Sequence, residues 1–136
     1  MAKKIGRERA VLLYPRHAMK PEDFLTFIEM EGFCDEWHSS LGLTDEDLSL
    51  FQAAIMASPM QNRIMPDTGG FRVLSLTRAD FTTVHLGYVY FEDFRVVLLV
   101  MASTDGIFKS FSLEERKAIR DLIERERIAF AKGKVT

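Results

Sequence analysis

The sequence predicts an α+β domain in which a helical hairpin and a C-terminal helix pack on an antiparallel meander sheet. Three observations carry that expectation. Apolar residues recur at helical spacing up to Pro59, then alternate with polar ones from Phe71 to Met101. Two capping boxes, Thr44 with Asp47 and Ser112 with Glu115, mark helix starts on either side of the alternating stretch. The tetrapeptide "FEDF" (91–94) is short enough to turn one alternating run straight into the next, which makes that pair antiparallel.

Taken in order, residues 1–20 read as a basic extension with a short strand at 10–14, and 21–136 as one domain. "FLTFIEM" (24–30) alternates well enough for a strand. Phe33, Trp37 and Leu41 then fall on one stripe of a short helix. The next helix, near 44–58, starts at Thr44, where Leu43 can staple to Leu48. It buries Leu48, Phe51 and Ile55, and Pro59 ends it. Leu41, Gly42 and Leu43 join the two helices into a hairpin. After "PDTGG" the period changes to two, giving strands at 71–77, 84–91 and 95–101. In "VVLLVM" (96–101) both alternating faces are apolar, so that strand should be central and covered on both sides. A last helix near 112–130 carries Ile119, Leu122, Ile123 and Phe130 on one face. Both long helices are expected on the core face of the meander.

The composition fits a soluble globular chain: 47% apolar and 28% charged over 136 residues, enough for one real core. No apolar run approaches the roughly 18 residues that a membrane-spanning helix needs. The apolar part of the N-terminus, "AVLLY", is too short for a secretory signal. A single cysteine, Cys34, has no internal disulfide partner, so a cytoplasmic location is expected. The net charge of −2 conceals an asymmetry. Residues 1–20 hold six bases against Glu8 alone, for +5, while 21–60 hold nine acids and no Lys or Arg, for −9. The arm can bind phosphate or neutralise its acidic neighbour, and both readings stay open. Residues 1–9 contain one large apolar residue, Ile5, and are expected to be dispensable for folding.

Four segments, in order, carry a resemblance. "LTDEDLSLFQAAIMASP" is similar to a helix of the RelE superfamily of toxins, in its HigB-like branch. "IMPDTGGFR" resembles that branch's I-x-G-T-G-G-apolar-Arg signature, with Asp67 in place of glycine. "GYVYFED" resembles its strand of paired tyrosines, and "FSLEERKAIRDLIE" its final helix. The likeness runs from about Phe24 to Arg127. It implies a RelE-like fold and a ribosome-dependent, metal-independent mRNA endoribonuclease, the toxin of a toxin–antitoxin pair. The implied partners are an antitoxin protein and the ribosome with its mRNA, with no cofactor and no membrane. "PDTGG" is then the lead-in to a strand; a phosphate loop of Walker type would need G-K-S or G-K-T opening a helix.

What the resemblance implies residue by residue is a depleted site. Metal-free RNA cleavage needs a group to move the 2′-OH proton and cations to hold charge on phosphorus. Arg72 matches the family arginine and His85 falls near another, so these two are the catalytic candidates, expected on one sheet face within reach of one phosphate. Arg78, Tyr88, Tyr90 and Lys109 are the RNA-binding candidates. The position after Arg72, often lysine, is Val73, and Ser103 stands where relatives carry a lysine, with Asp105 nearby. Two other readings remain: a catalytically silent RelE-like domain that binds protein, and a nucleic-acid module working through the basic arm. Cys34 and His38 have the helical spacing of two metal ligands but lack further ligands, so no metal is expected.

Overall fold

The computed structural model describes residues 24–133. Along the chain lie β1 (Thr26–Glu29), α1 (Phe33–Asp35, continued by a π-helical turn over Glu36–Ser40) and α2 (Asp45–Ala57). Then follow β2 (Arg72–Thr77), β3 (Thr83–Phe91), β4 (Val96–Ser103) and α3 (Leu113–Ala131), with 3-10 turns at Glu92–Phe94 and Ile107–Ser110. The basic extension over 1–20, with its expected strand at 10–14, lies outside the described residues.

The four strands form one mixed sheet in the order β1-β4-β3-β2. β2, β3 and β4 are the expected antiparallel meander, while β1 pairs parallel with β4, Thr26 opposite Val96 and Glu29 opposite Leu99. β4 is therefore central, and its doubly apolar pattern has a structural use. Val97 and Leu99 point into a core with Phe27, Trp37, Phe51, Ile55 and Tyr88. Val96 and Leu98 point into a second core with Phe71, Phe91, Ile119 and Ile123.

The two long helices thus do not share a face, contrary to the sequence-based expectation. The α1–α2 hairpin covers one side of the sheet and α3 the other. A strand apolar on both sides has to be covered on both. Leaving one side open would forfeit roughly 1.5–3 kcal/mol for each large side chain exposed.

Local chemistry fixes each helix. Thr44 Oγ1 accepts from Asp47 N at 3.1 Å, and the Asp47 carboxylate accepts from Thr44 N at 3.0 Å. Ser112 and Glu115 repeat the arrangement at 3.1 and 2.7 Å. Trp37 stacks on Phe33 and meets Phe51 edge-on, and its indole donates to Thr44 O at 2.9 Å, tying the two helices of the hairpin together.

The "PDTGG" segment is a turn locked from inside. Thr68 is fully buried; its hydroxyl donates to Met65 O at 2.6 Å and accepts from Phe71 N at 3.2 Å. Asp67, Gly69 and Gly70 all have positive φ. A Cβ on Gly69 would lie 3.1 Å from Arg120 Cγ, so the glycine also lets the loop approach α3.

Candidate functional site

Antiparallel pairing sets Ser75 opposite His85 on one side and Ser103 opposite His85 on the other. Directly paired residues share a sheet face. Ser75, His85 and Ser103 therefore form a row across β2, β3 and β4, on the face that α3 covers. A bulge at Gly87/Tyr88 sets this register: Gly87 faces Met101 while Tyr88 faces Leu99, so Val100 is the extra residue.

Ser75 and His85 floor an open groove of about 540 Å³, whose wall includes Arg63, Ile64, Val73, Phe108 and Lys109, while Ser103 lines a neighbouring pocket. His85 Nδ1 lies 2.6 Å from Ser75 Oγ. Its Nε2 has no hydrogen-bond partner among the described residues. The ring meets Phe108 edge-on, with centroids 6.4 Å apart, which restricts its tilt. Asp105 lines the same groove. Its carboxylate accepts from Ser103 Oγ at 2.7 Å and from Ile107 N at 3.0 Å. These bonds, the Ser103 hydroxyl first, with the His85 charge adding to them, hold Asp105 below the usual carboxylate range. It is an acceptor at neutral pH. Two cations, one carboxylate and one imidazole thus converge on a surface with apolar walls. Such a set can bind a singly or doubly charged oxyanion and move one proton.

The candidate residues divide. His85 and Lys109 line the groove together. Arg72 does not join them, and the expectation that Arg72 and His85 share a sheet face is corrected. Arg72 pairs with Tyr88 and His85 with Ser75, an odd number of residues along β2, so the two side chains project to opposite sides. Arg72 instead donates from Nη1 to Met60 O at 3.0 Å and to Asn62 O. Tyr88 is fully buried, so it has no face open for stacking on a base; its hydroxyl donates to Pro59 O at 3.0 Å and accepts from Asn62 Nδ2 at 3.2 Å. Tyr90 is half-buried against the hairpin core, and Arg78 is drawn toward Asp47 at 3.5 Å and Asp80 at 3.3 Å on the β2–β3 turn. None of these four side chains lines the His85 groove.

Arg63 does line it, and sequence reasoning missed it. It sits in the polar break "MQNR" without periodicity. The only available signal was its place just before a chain reversal.

Cys34 and His38 do approach each other, Sγ to Nδ1 at 3.2 Å, while His38 Nε2 lies 2.8 Å from Asp45. Among the described residues no three His, Cys, Asp or Glu side chains are grouped to hold a metal ion. Nor is any helix of these residues long and apolar enough to cross a membrane.

No protein-family model matches the chain, and no curated protein sequence matches it.

Proposed function

We propose that this protein is a RelE-like toxin of the HigB-like branch, acting as a metal-independent mRNA endoribonuclease on the ribosome, with the His85 groove as its site. The observation that supports this reading best is that Ser75 and His85 line one groove together with Arg63 and Lys109. In such a cleavage the 2′-oxygen forms a bond to the adjacent phosphorus as its proton leaves, and the bond to the 5′-oxygen breaks as that oxygen gains a proton. His85 is the group that moves the proton, Arg63 binds the already charged phosphate, and Lys109 holds the charge that builds on its oxygens. The order of elements and the four family-like segments support the same assignment; Ser103, opposite His85, stands where the family lysine would add a third cation, and the loss of that lysine counts against it.

Cleavage of mRNA on purified ribosomes tests it. His85→Ala should lower the rate by on the order of 100- to 10,000-fold. Ser103→Lys should raise it, because the new ammonium would project from the residue paired with His85. A wild-type protein and a Ser103→Lys variant that are both inert would overturn the nuclease reading.

A second reading, a silent RelE-like domain that binds an antitoxin-like protein, is favoured by one observation. With Arg72 turned away and Asp105 ionised inside the groove, the site keeps only two cations against one carboxylate.

A further inference from the structure

Residues 58–66 form a strap that rounds the β2 edge of the sheet. Its first half lies on the hairpin side, where Pro59, Met60 and Asn62 meet Tyr88 and Arg72. At the edge, Ile64 bridges to Arg72. Its second half lies on the opposite side: Arg63 and Ile64 line the His85 groove, and Met65, whose amide donates to Phe71 O at 2.8 Å, packs into the core that α3 covers.

We infer that Arg72 is a positioning residue: with Tyr88 it latches the strap on one face of the sheet so that Arg63 stands at the groove on the other. This rests on the proposed function only for the meaning of the groove; the latch itself is a matter of hydrogen bonds. Four bonds hold a segment that has no regular secondary structure. Two run from the Arg72 guanidinium to the carbonyls of Met60 and Asn62, and two join the Tyr88 hydroxyl to Pro59 O and to the Asn62 side chain. A guanidinium donates to two separate carbonyls in fixed directions, so it sets the strap's position as well as its attachment. Tyr88 is fully buried, so its hydroxyl is a rigid anchor rather than a mobile surface group. Arg63 follows Asn62 directly, so this latch fixes the chain on one side of it, as the Ile64 bridge and the Met65 amide do on the other. An arginine at the head of β2 thereby serves chemistry on a face it does not touch. The same geometry makes Arg63, rather than Arg72, the cation that meets substrate.

Two measurements decide the inference. The first needs no RNA. Hydrogen exchange of the Gln61 and Met65 amides, in wild type and in Arg72→Ala, should quicken at least about tenfold in the variant while β3 and β4 amides keep their protection. If Arg72→Ala fails to fold, Tyr88→Phe removes two of the four bonds with little change of volume and should quicken the same amides. The second uses mRNA cleavage. Arg63→Ala and Arg72→Ala should each lower kcat/KM by on the order of 100-fold, mainly through KM. The double variant should be no worse than either. A loss of folded protein would lower the apparent kcat and leave KM alone.

Strap amides that exchange at the wild-type rate in Arg72→Ala would overturn the latch, whether or not the protein cuts RNA. Fully additive losses in the double variant would overturn the dependence of Arg63 on Arg72. An inert wild-type protein with a loosened strap in Arg72→Ala would sink the proposed function and leave the latch standing.

Discussion

Gly87 lies in the middle of β3 with the ring of Phe71 over it. A Cβ at that position would be 2.1 Å from Phe71 Cζ and 2.6 Å from Cε1. Phe71 is fully buried and its ring is hemmed in by Phe108 and Phe111, so it cannot swing clear. Gly87→Ala should destabilise the fold by about 1–3 kcal/mol, the usual cost of overfilling a packed core. A urea midpoint equal to wild type would show that Phe71 has room to move. Tyr88, the next residue, gives a pH-dependent test. Burial raises its phenol above the ordinary value of 10.0, with the Asn62 hydrogen bond and the Arg72 charge acting the other way. The folded state thus holds that proton more tightly than the unfolded chain does. Its contribution is complete below about pH 10 and is lost as pH rises through the raised value. Wild type should therefore lose more stability than Tyr88→Phe between about pH 8 and pH 11. Parallel losses would place the Tyr88 proton outside the linkage.

At the level of elements, the start of α3 rests on a short polar device. Ser112→Ala removes the cap on the N3 amide and should cost about 1 kcal/mol, whereas Ser112→Gly should cost only a few tenths. Equal losses in thermal melts would show that the hydroxyl caps nothing of consequence. That helix start was legible in the sequence because four adjacent residues determine it. The meander strands and the central place of β4 were legible for a similar reason: alternation is local, and a doubly apolar strand declares that both its faces are covered. The parallel pairing of β1 with β4 was not legible, because it joins segments about seventy residues apart with no turn between them to set the register. The relation of Arg72 to His85 was hidden by register as well. A one-residue slip between β2 and β3 would reverse which face each side chain meets. The turn over 78–82, with Phe81 at φ 70, fixes that choice, and nothing in its composition announces it. The strap hid Arg63 more completely, since its path is set by side-chain bonds to carbonyls and leaves no periodic trace.

The described residues form two cores on either side of one sheet, and each core contains side chains of the same strand, β4. Neither half can lose its helices without exposing one face of β4, so the two should unfold together. The chain's single tryptophan makes this measurable. Trp37 is fully buried in the hairpin core, and Ile123 is 1% exposed in the core on the opposite side. Ile123→Ala should cost about 2–5 kcal/mol, the range for truncating a large aliphatic side chain in a core. If the sheet couples the two sides, that whole loss should appear in the urea transition followed by Trp37 fluorescence, although α3 and Trp37 belong to different cores. Far-UV circular dichroism should give the same midpoint, with the slope unchanged from wild type. A fluorescence transition that stays at the wild-type midpoint while the dichroism splits into two steps would mean that the hairpin side holds together without α3. The groove would then be built on a separately melting half, since His85 and Phe108 face the α3 side. Coincident transitions would instead make every stabilising contact around Trp37 a contributor to the integrity of the His85 row.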